Sequence, residues 1–506
     1  MRSALAGLLG LILPGAGHLY LGRRRAALLF VAPIAILVAA VVVVVVTQGS
    51  IGLLEIAVTP GVLPALAVVN VALAAWRIAA SIDATRRFPR TRLAIGASVI
   101  GIVVLVAVPH VFVGQYIAAT SDFLDSAFAP DVTPTEDPGL TGDAGPSGDW
   151  YGPQRTPVEW VDPSYGATMP PTPVPTPRGP MGSGIGTLPG LGVAVPWTRP
   201  GSIPWGADGR FDLLLLGSDA GIDRWSRRMD VMLLVEIDVS SGKVAMIGLP
   251  RNLLNAPFPP GPAHDAVKCG CFTDLLNALY VEATVTHPDR WPGTGAVKGI
   301  GAVRAVVSQL TGRPVDAVLV ADLWGVIKVV DAMGGIDIYV PAAVHDDHYP
   351  DPVYGSIVLD IAAGQQHLNG RLALAYARSR HQDSDYGRMG RQQTLLLAIR
   401  SQIGPATILN APALFTAAKG FTWTDLPRSS LPNLVALFDK AAHATVKQLR
   451  IVPTKYPEWL TPAEITQIQH DIAALLGTVP PPAPTPIPSL APSPVPSEPP
   501  SPAPST

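Results

Sequence analysis

The chain has 506 residues, 48% hydrophobic and only 15% charged, with 36 basic against 38 acidic side chains and a net charge of −2. That balance excludes a global positive field for nucleic acid, and two cysteines, Cys269 and Cys271, exclude a disulfide framework. With 54 prolines and so much apolar content, the chain reads as membrane segments, proline-rich disorder and a globular domain together.

Residues 1–117 read as an α-helical anchor of three or four membrane helices. Uncharged or nearly uncharged runs at 26–46, 61–80 and 93–117 are each long enough to span a bilayer, with Arg77 placed to snorkel near the end of the second. The run from Leu5 to Leu21 is short and broken by Pro14, Gly15 and Gly17, as a fourth span or a re-entrant arm would be. It is directly followed by Arg23, Arg24 and Arg25 and a second apolar run, which argues against a cleaved signal peptide. The segment PGAGHLYLGR (Pro14 to Arg23) resembles the turn of small paired-helix membrane modules. Arg23–Arg25 and the cluster Arg86, Arg87, Arg90 and Arg92 flank the spans, whereas the loop Thr47–Pro60 carries only Glu55. The positive-inside rule puts both arginine clusters in the cytoplasm and everything after Tyr116 outside.

Residues 118–207 are rich in Pro, Gly and Ser and include the polyproline-like MPPTPVPTPRGP, a spacer that would hold a domain off the membrane or let it move laterally. Residues 479–506 form a tail with 13 prolines in the 27 residues from Pro480, which cannot pack a core.

Between them, 208–478 alternates strand and helix signals. Phe211–Leu216, Val231–Ile237, Lys243–Leu249, Asp316–Ala321 and Ile336–Val340 read as strands. Helices are predicted over Thr273–Thr284, Ala296–Thr311, Leu323–Met333, Gly370–Tyr376, Tyr386–Ile403, Asn433–Thr445 and Pro462–Leu476. The order predicts an α/β fold: a mixed central sheet with helices on both faces. Cys269 and Cys271 are a strained bridge or two free thiols.

Charge is concentrated in Leu374–Leu397, where Arg378, Arg380, Arg388 and Arg391 surround Asp383 and Asp385. Guanidiniums are planar forks of donors matched to phosphate oxygens, so this set suits a pyrophosphate; a self-neutralising surface run is the plainer alternative. Helical spacing puts Arg388, Arg391 and Gln392 on one face. Asp219, Arg251, and the pair Arg228 and Asp230 sit at strand ends, where a turn cap or surface ion pair would be their ordinary role.

Together GSD (217–219), RMD (228–230), LPRN (249–252), NALY (277–280), VDAMGGIDIYV (330–340), GQQHLNGRLALAYARSR (364–380) and DSDYGRMGRQQ (383–393) resemble the LytR–CpsA–Psr family over about Phe211 to Ile403. The resemblance implies an extracytoplasmic phosphotransferase moving a glycopolymer from a polyprenyl-pyrophosphate carrier to peptidoglycan or another wall acceptor. It places Mg²⁺ (or Mn²⁺) on Asp219 and Asp230. Arg228, Arg251, Arg378, Arg380, Arg388 and Gln392 would grip the pyrophosphate, with Arg391 in reach or structural, and Asp385 would be the base on the acceptor hydroxyl. Arg228 and Arg380 would act catalytically on the developing charge. The chain departs from the family pattern at Met229, Asn252 and Lys268–Phe272. Apolar helices near Leu275–Leu279 and Leu323–Val330 would line a polyprenyl groove or simply form core. The rival readings are a polyprenyl-pyrophosphate hydrolase using the same site and a non-catalytic wall-binding or regulatory protein. His345 and His348, in what reads as a loop, form a possible metal pair, and so do His264, Cys269 and Cys271 without a fourth ligand.

Overall fold

A computed structural model describes residues 2–85, 92–128, 205, 208–218, 228–293, 295–351, 355–379, 384–403, 410–419, 421–442, 444–453 and 455–478. The proline-rich tail and nearly all of the linker lie outside the described residues.

The chain opens with helices α1 (Arg2–Ile12), α2 (Ala16–Tyr20), α3 (Arg24–Val58), α4 (Val62–Thr85) and α5 (Arg92–Ala127). Three of them hold stretches long and apolar enough to cross a membrane: Arg24–Gly49, Val62–Ala84 and Ile100–Ala127. The first apolar run is not a fourth span. Its 11-residue α1 reaches only about 16 Å against a hydrocarbon core of about 30 Å, and the chain then doubles back into α2. Gly17 permits that return, because a Cβ there would lie 2.0 Å from the Ala6 carbonyl oxygen. Arg77 does not simply snorkel; it donates to the Leu11 carbonyl at 2.5 Å, satisfying an orphan acceptor at the end of α1. The expected loop Thr47–Pro60 is mostly helix. α3 runs on to Val58 across a break at Gly49, whose φ of 73° suits a residue without a Cβ.

The globular part begins with strands β1 (Arg210–Ser218), β2 (Met229–Asp238) and β3 (Val244–Leu249). Helix α6 (Gly295–Thr311), strand β4 (Ala317–Asp322), helix α7 (Leu323–Ala332) and strands β5 (Ile336–Val340), β6 (Val344–Asp351), β7 (Gly355–Ile361) and β8 (Gly364–Leu368) follow. Helices α8 (Gly370–Arg378), α9 (Asp385–Ser401) and α10 (Ala411–Ala418) lead to strand β9 (Thr422–Thr424), helix α11 (Leu431–Ala442), strand β10 (Val446–Arg450) and helix α12 (Pro462–Leu476). The sheet runs β9-β4-β1-β2-β3-β10. Its central strands pair antiparallel (β1–β2, β2–β3), while β1–β4 and β3–β10 are parallel.

The strands read as continuous apolar runs because both faces are covered. Leu214, Leu216, Leu234 and Ile247 pack on one side with Val303, Val307 and Leu310 of α6 and Ile468 and Ile472 of α12. Alternate residues Phe211, Leu213 and Ile237 face the other side, against Leu434 and Leu437 of α11. A separate core joins β5–β8 to α7, α8 and Leu395 of α9. The predicted helix Thr273–Thr284 is instead three short pieces: a 3₁₀ turn at Leu276–Ala278, a helical turn at Leu279–Val281 and a π turn at Glu282–Thr286. Leu276 and Leu279 are fully buried core.

His345 and His348 lie on β6, in a hairpin with β7 rather than in a loop. His345 is held between Asp347 (2.7 Å) and Asp360 (2.5 Å). Cys269 and Cys271 are joined in a disulfide, so neither supplies a thiolate for the zinc set considered with His264. Among the described residues no three His, Cys, Asp or Glu side chains gather as a metal-holding group.

Candidate functional site

The C-terminal end of β1 lies beside the start of β2 and the end of β3, and α9 crosses that edge of the sheet. Gly248 on β3 makes the crossing close: a Cβ there would meet Met389 Sδ at 2.9 Å and Gln393 Nε2 at 3.1 Å. This approach brings the first two turns of α9 over Arg251, two residues beyond the end of β3.

Arg251 is the hub. Its Nη1 donates to Asp230 Oδ1 at 3.0 Å and its Nε to Asp385 Oδ2 at 3.1 Å. Asn277, from the 3₁₀ turn, donates to the same Asp230 oxygen at 2.9 Å. Arg388 Nη2 reaches Asp385 Oδ1 at 3.4 Å, one turn along α9. Burial pushes the Asp230 carboxyl up, but the Arg251 and Arg388 charges outweigh it and hold it below the usual range. Burial pulls Arg251 down, and Asp230 and Asp385 overcome that, leaving it above its ordinary value. Arg388 goes the other way. It is 5% exposed, and desolvation lowers it; Asp385 resists, while the positive charges of Arg251 and Arg378 lower it further. Arg388 Nε is also buried without a hydrogen-bond partner among the described residues. A buried guanidinium crowded by like charge and holding a spare donor suits an incoming anion.

Three of the expected arginines therefore converge: Arg251, Arg388 and, close enough for Arg388 to feel its charge, the half-buried Arg378 at the end of α8. Arg228 is exposed just before β2. Asp219, Arg380 and Asp383 lie outside the described residues. Arg391 and Gln392 are bound to the end of α8, on either side of Arg378. Arg391 donates to the carbonyls of Tyr376 (2.7 Å) and Ser379, and Gln392 to that of Ala377 (3.3 Å). The last carbonyls of a helix have no partner within it, and these two side chains supply the donors for α8. Helical spacing put them on the face of Arg388, but neighbouring α8 rather than a ligand takes their donors.

Sequence reasoning missed a rim to this site. Asn252 donates to Tyr386 Oη at 3.1 Å and to Glu458 Oε1 at 2.9 Å, and Tyr386 donates to the same Glu458 oxygen. Burial and Glu458 push the Tyr386 hydroxyl up to about 12. Glu458 is far along the chain, and no local signal pointed to it. Asn277 lay within NALY, a motif quoted above with no role attached.

The donor set near Asp230 fits a hard cation in its chemistry. Beside the carboxylate, Asn277 Oδ1 is a buried acceptor without a hydrogen-bond partner among the described residues, and every donor is oxygen.

Membrane helices followed by a mixed α/β domain with a cluster of arginines and carboxylates at the end of its sheet define the class. The sequence profile of the LytR_cpsA_psr family matches residues 201–473, and the chain belongs to that family. The cell wall biosynthesis protein LcpA of Corynebacterium glutamicum is 25% identical over 231 residues, 42% of this chain and 43% of its own length. Biofilm regulatory protein A of Streptococcus mutans is 24% identical over 284 residues, 53% of this chain and 64% of its own. The chain thus spans 43% and 64% of the length of these two relatives. Among solved structures, the Streptococcus agalactiae protein gbs0355 is 23% identical with a TM-score of 0.42, covering 55% of this chain and 91% of its own.

Proposed function

We propose that this protein is a membrane-anchored phosphotransferase that moves a glycopolymer from a polyprenyl-pyrophosphate carrier to peptidoglycan or another wall polymer, outside the cell membrane. The observation that carries the reading is Arg388: buried, crowded by Arg251 and Arg378, with an Nε that has no hydrogen-bond partner among the described residues. Family membership and a relative named for cell wall biosynthesis support it. The arginine-rich flanks of the spans support the outside placement.

In this reading Arg251, Arg378 and Arg388 hold the pyrophosphate, joined by Arg228 and Arg380. The acceptor hydroxyl oxygen attacks the glycan-side phosphorus, and the bond to the polyprenyl phosphate breaks. Its departing oxygen takes the negative charge, which the guanidiniums stabilise. The acceptor's proton passes to Asp385, which Arg251 orients. Asp230 and Asn277, with Asp219, would hold Mg²⁺, which when bound would neutralise pyrophosphate charge. Arg391 and Gln392 hold Arg378 in place through the end of α8.

The test uses the full chain, Mg²⁺ and a labelled polyprenyl-pyrophosphate glycan, with and without peptidoglycan. Label on peptidoglycan is expected. Free glycan released whether or not acceptor is present would make the protein a hydrolase, and no turnover with tight binding would make it a binding module.

A further inference from the structure

The membrane helices and the globular domain meet over a built contact. α5 has 36 residues, about 54 Å of helix, far more than a bilayer core needs, and its last turns carry Asp122, Phe123, Leu124 and Asp125. Leu124 is buried with Val58 at the end of α3, Leu63 at the start of α4, and Leu431 of α11. Phe123 stacks on Phe415 of α10, ring centroids 5.0 Å apart and 11° from parallel. Lys419 meets Asp122 at 3.1 Å, and Arg428 pairs with Asp125. The apolar centre is thus ringed by charges of opposite sign across the contact.

The two ends of the linker sharpen the point. Phe128, at one end, and Trp205, at the other, pack against the same cluster of Phe211, Leu213, Leu434 and Leu437. The chain leaves and re-enters the fold at one place. A tether that separated the domain from its anchor would have its ends on different bodies.

We propose that the domain is seated on the outward ends of its own membrane helices rather than held off them. The seat holds the arginine cluster at one height and tilt over the bilayer, whatever that cluster transfers. Breaking of the apolar centre is opposed by desolvated aromatic and aliphatic area, and the ring of charges sets its orientation.

The experiment is cross-linking of the full chain in native membranes. Cys269 and Cys271 are bonded to each other, so introduced thiols pair without competition. Phe123→Cys with Phe415→Cys should cross-link almost completely, whereas Phe123→Cys with Cys at exposed Val358 should not. Inserting about 50 Gly/Ser residues into 129–204 should leave the first yield unchanged, because a seated contact does not depend on tether length. A free domain would lose contact as its effective concentration falls. In a second arm, Arg428→Asp should raise protease cleavage in 205–208, and Asp125→Arg added to it should restore protection. A yield that drops with the insert, or equal yields for the two cysteine pairs, overturns the proposal.

Discussion

The two ends of the central sheet both gather arginines and carboxylates, yet they are opposite kinds of cluster. At the candidate site, Arg251, Arg378 and Arg388 outnumber Asp230 and Asp385, and the charges of Arg251 and Arg378 bear on Arg388. At the other end, Asp212 and Glu236 stand side by side on β1 and β2, both fully buried. Arg313 lies 3.1 Å from Asp212 and 3.2 Å from Glu236. The Asp316 carboxylate accepts from the Asp212 backbone N–H at 2.9 Å, and the Asp316 backbone N–H donates to the Asp212 carbonyl at 2.8 Å, while buried Arg304 pairs with buried Asp425. Desolvation and Glu236 push the Asp212 carboxyl well up, and desolvation pushes Asp316 to about 7. The candidate site has surplus positive charge; the far cluster has surplus carboxylate. Charge density therefore does not mark a binding site. What distinguishes the two clusters is the sign of the surplus.

The sharpest test of the contrast is Arg304→Ala, which strands the buried Asp425 carboxylate. We expect a stability loss of about 3–5 kcal/mol with pyrophosphate affinity unchanged in the protein that folds, read by denaturant melts and by titration. Arg388→Ala should do the reverse: binding weaker by about 1.5–3 kcal/mol, ten- to a hundredfold, with little change in melting. Arg388→Lys should restore little, because an ammonium lacks the fork. If Ala and Lys at 388 both bind like wild type, the site is only a charged surface.

The pH dependence separates the ends a third way. Asp316 titrates near 7 when folded against 3.8 for an ordinary aspartate, so between these values the folded state holds more protons than the unfolded one. Its contribution is present at low pH and lost as pH rises through that window, by up to about 2 kcal/mol between pH 5 and 7. Asp316→Asn should flatten the slope in melts run across that range. The smallest effect concerns the rim. Asn252→Asp sets a carboxylate against exposed Glu458, and we expect a loss of at most about 1 kcal/mol, reversed by adding Glu458→Gln. A melt in which the double variant stays as unstable as the single one would remove Glu458 from that contact.

Local pattern determined most of the elements. The strands at 211–216, 231–237 and 336–340 and the helix at 462–476 follow directly from apolar periodicity, since burial on one or two faces leaves its period in the chain. The strands β6 and β7 were not legible: HDDHYPD is almost wholly polar and holds a proline, Asp346 and Asp351 are buried all the same, and only pairing with β7 makes it a strand. Which arginines form the site was half legible. Residue type named Arg378 and Arg388 as anion ligands and the family resemblance added Arg251, but spacing on α9 could not tell Arg388 from Arg391. That choice depends on α8, whose unpaired end carbonyls capture Arg391 and Gln392, and on Gly248, which lets α9 come close enough to bury Arg388. Membrane segments are set by composition because hydrocarbon has one requirement, an apolar helix about 20 residues long. Where the domain sits on those segments, and that Phe128 and Trp205 meet at one cluster, depends on contacts between residues far apart in sequence. No periodicity encodes such contacts, so only the tertiary structure decides them.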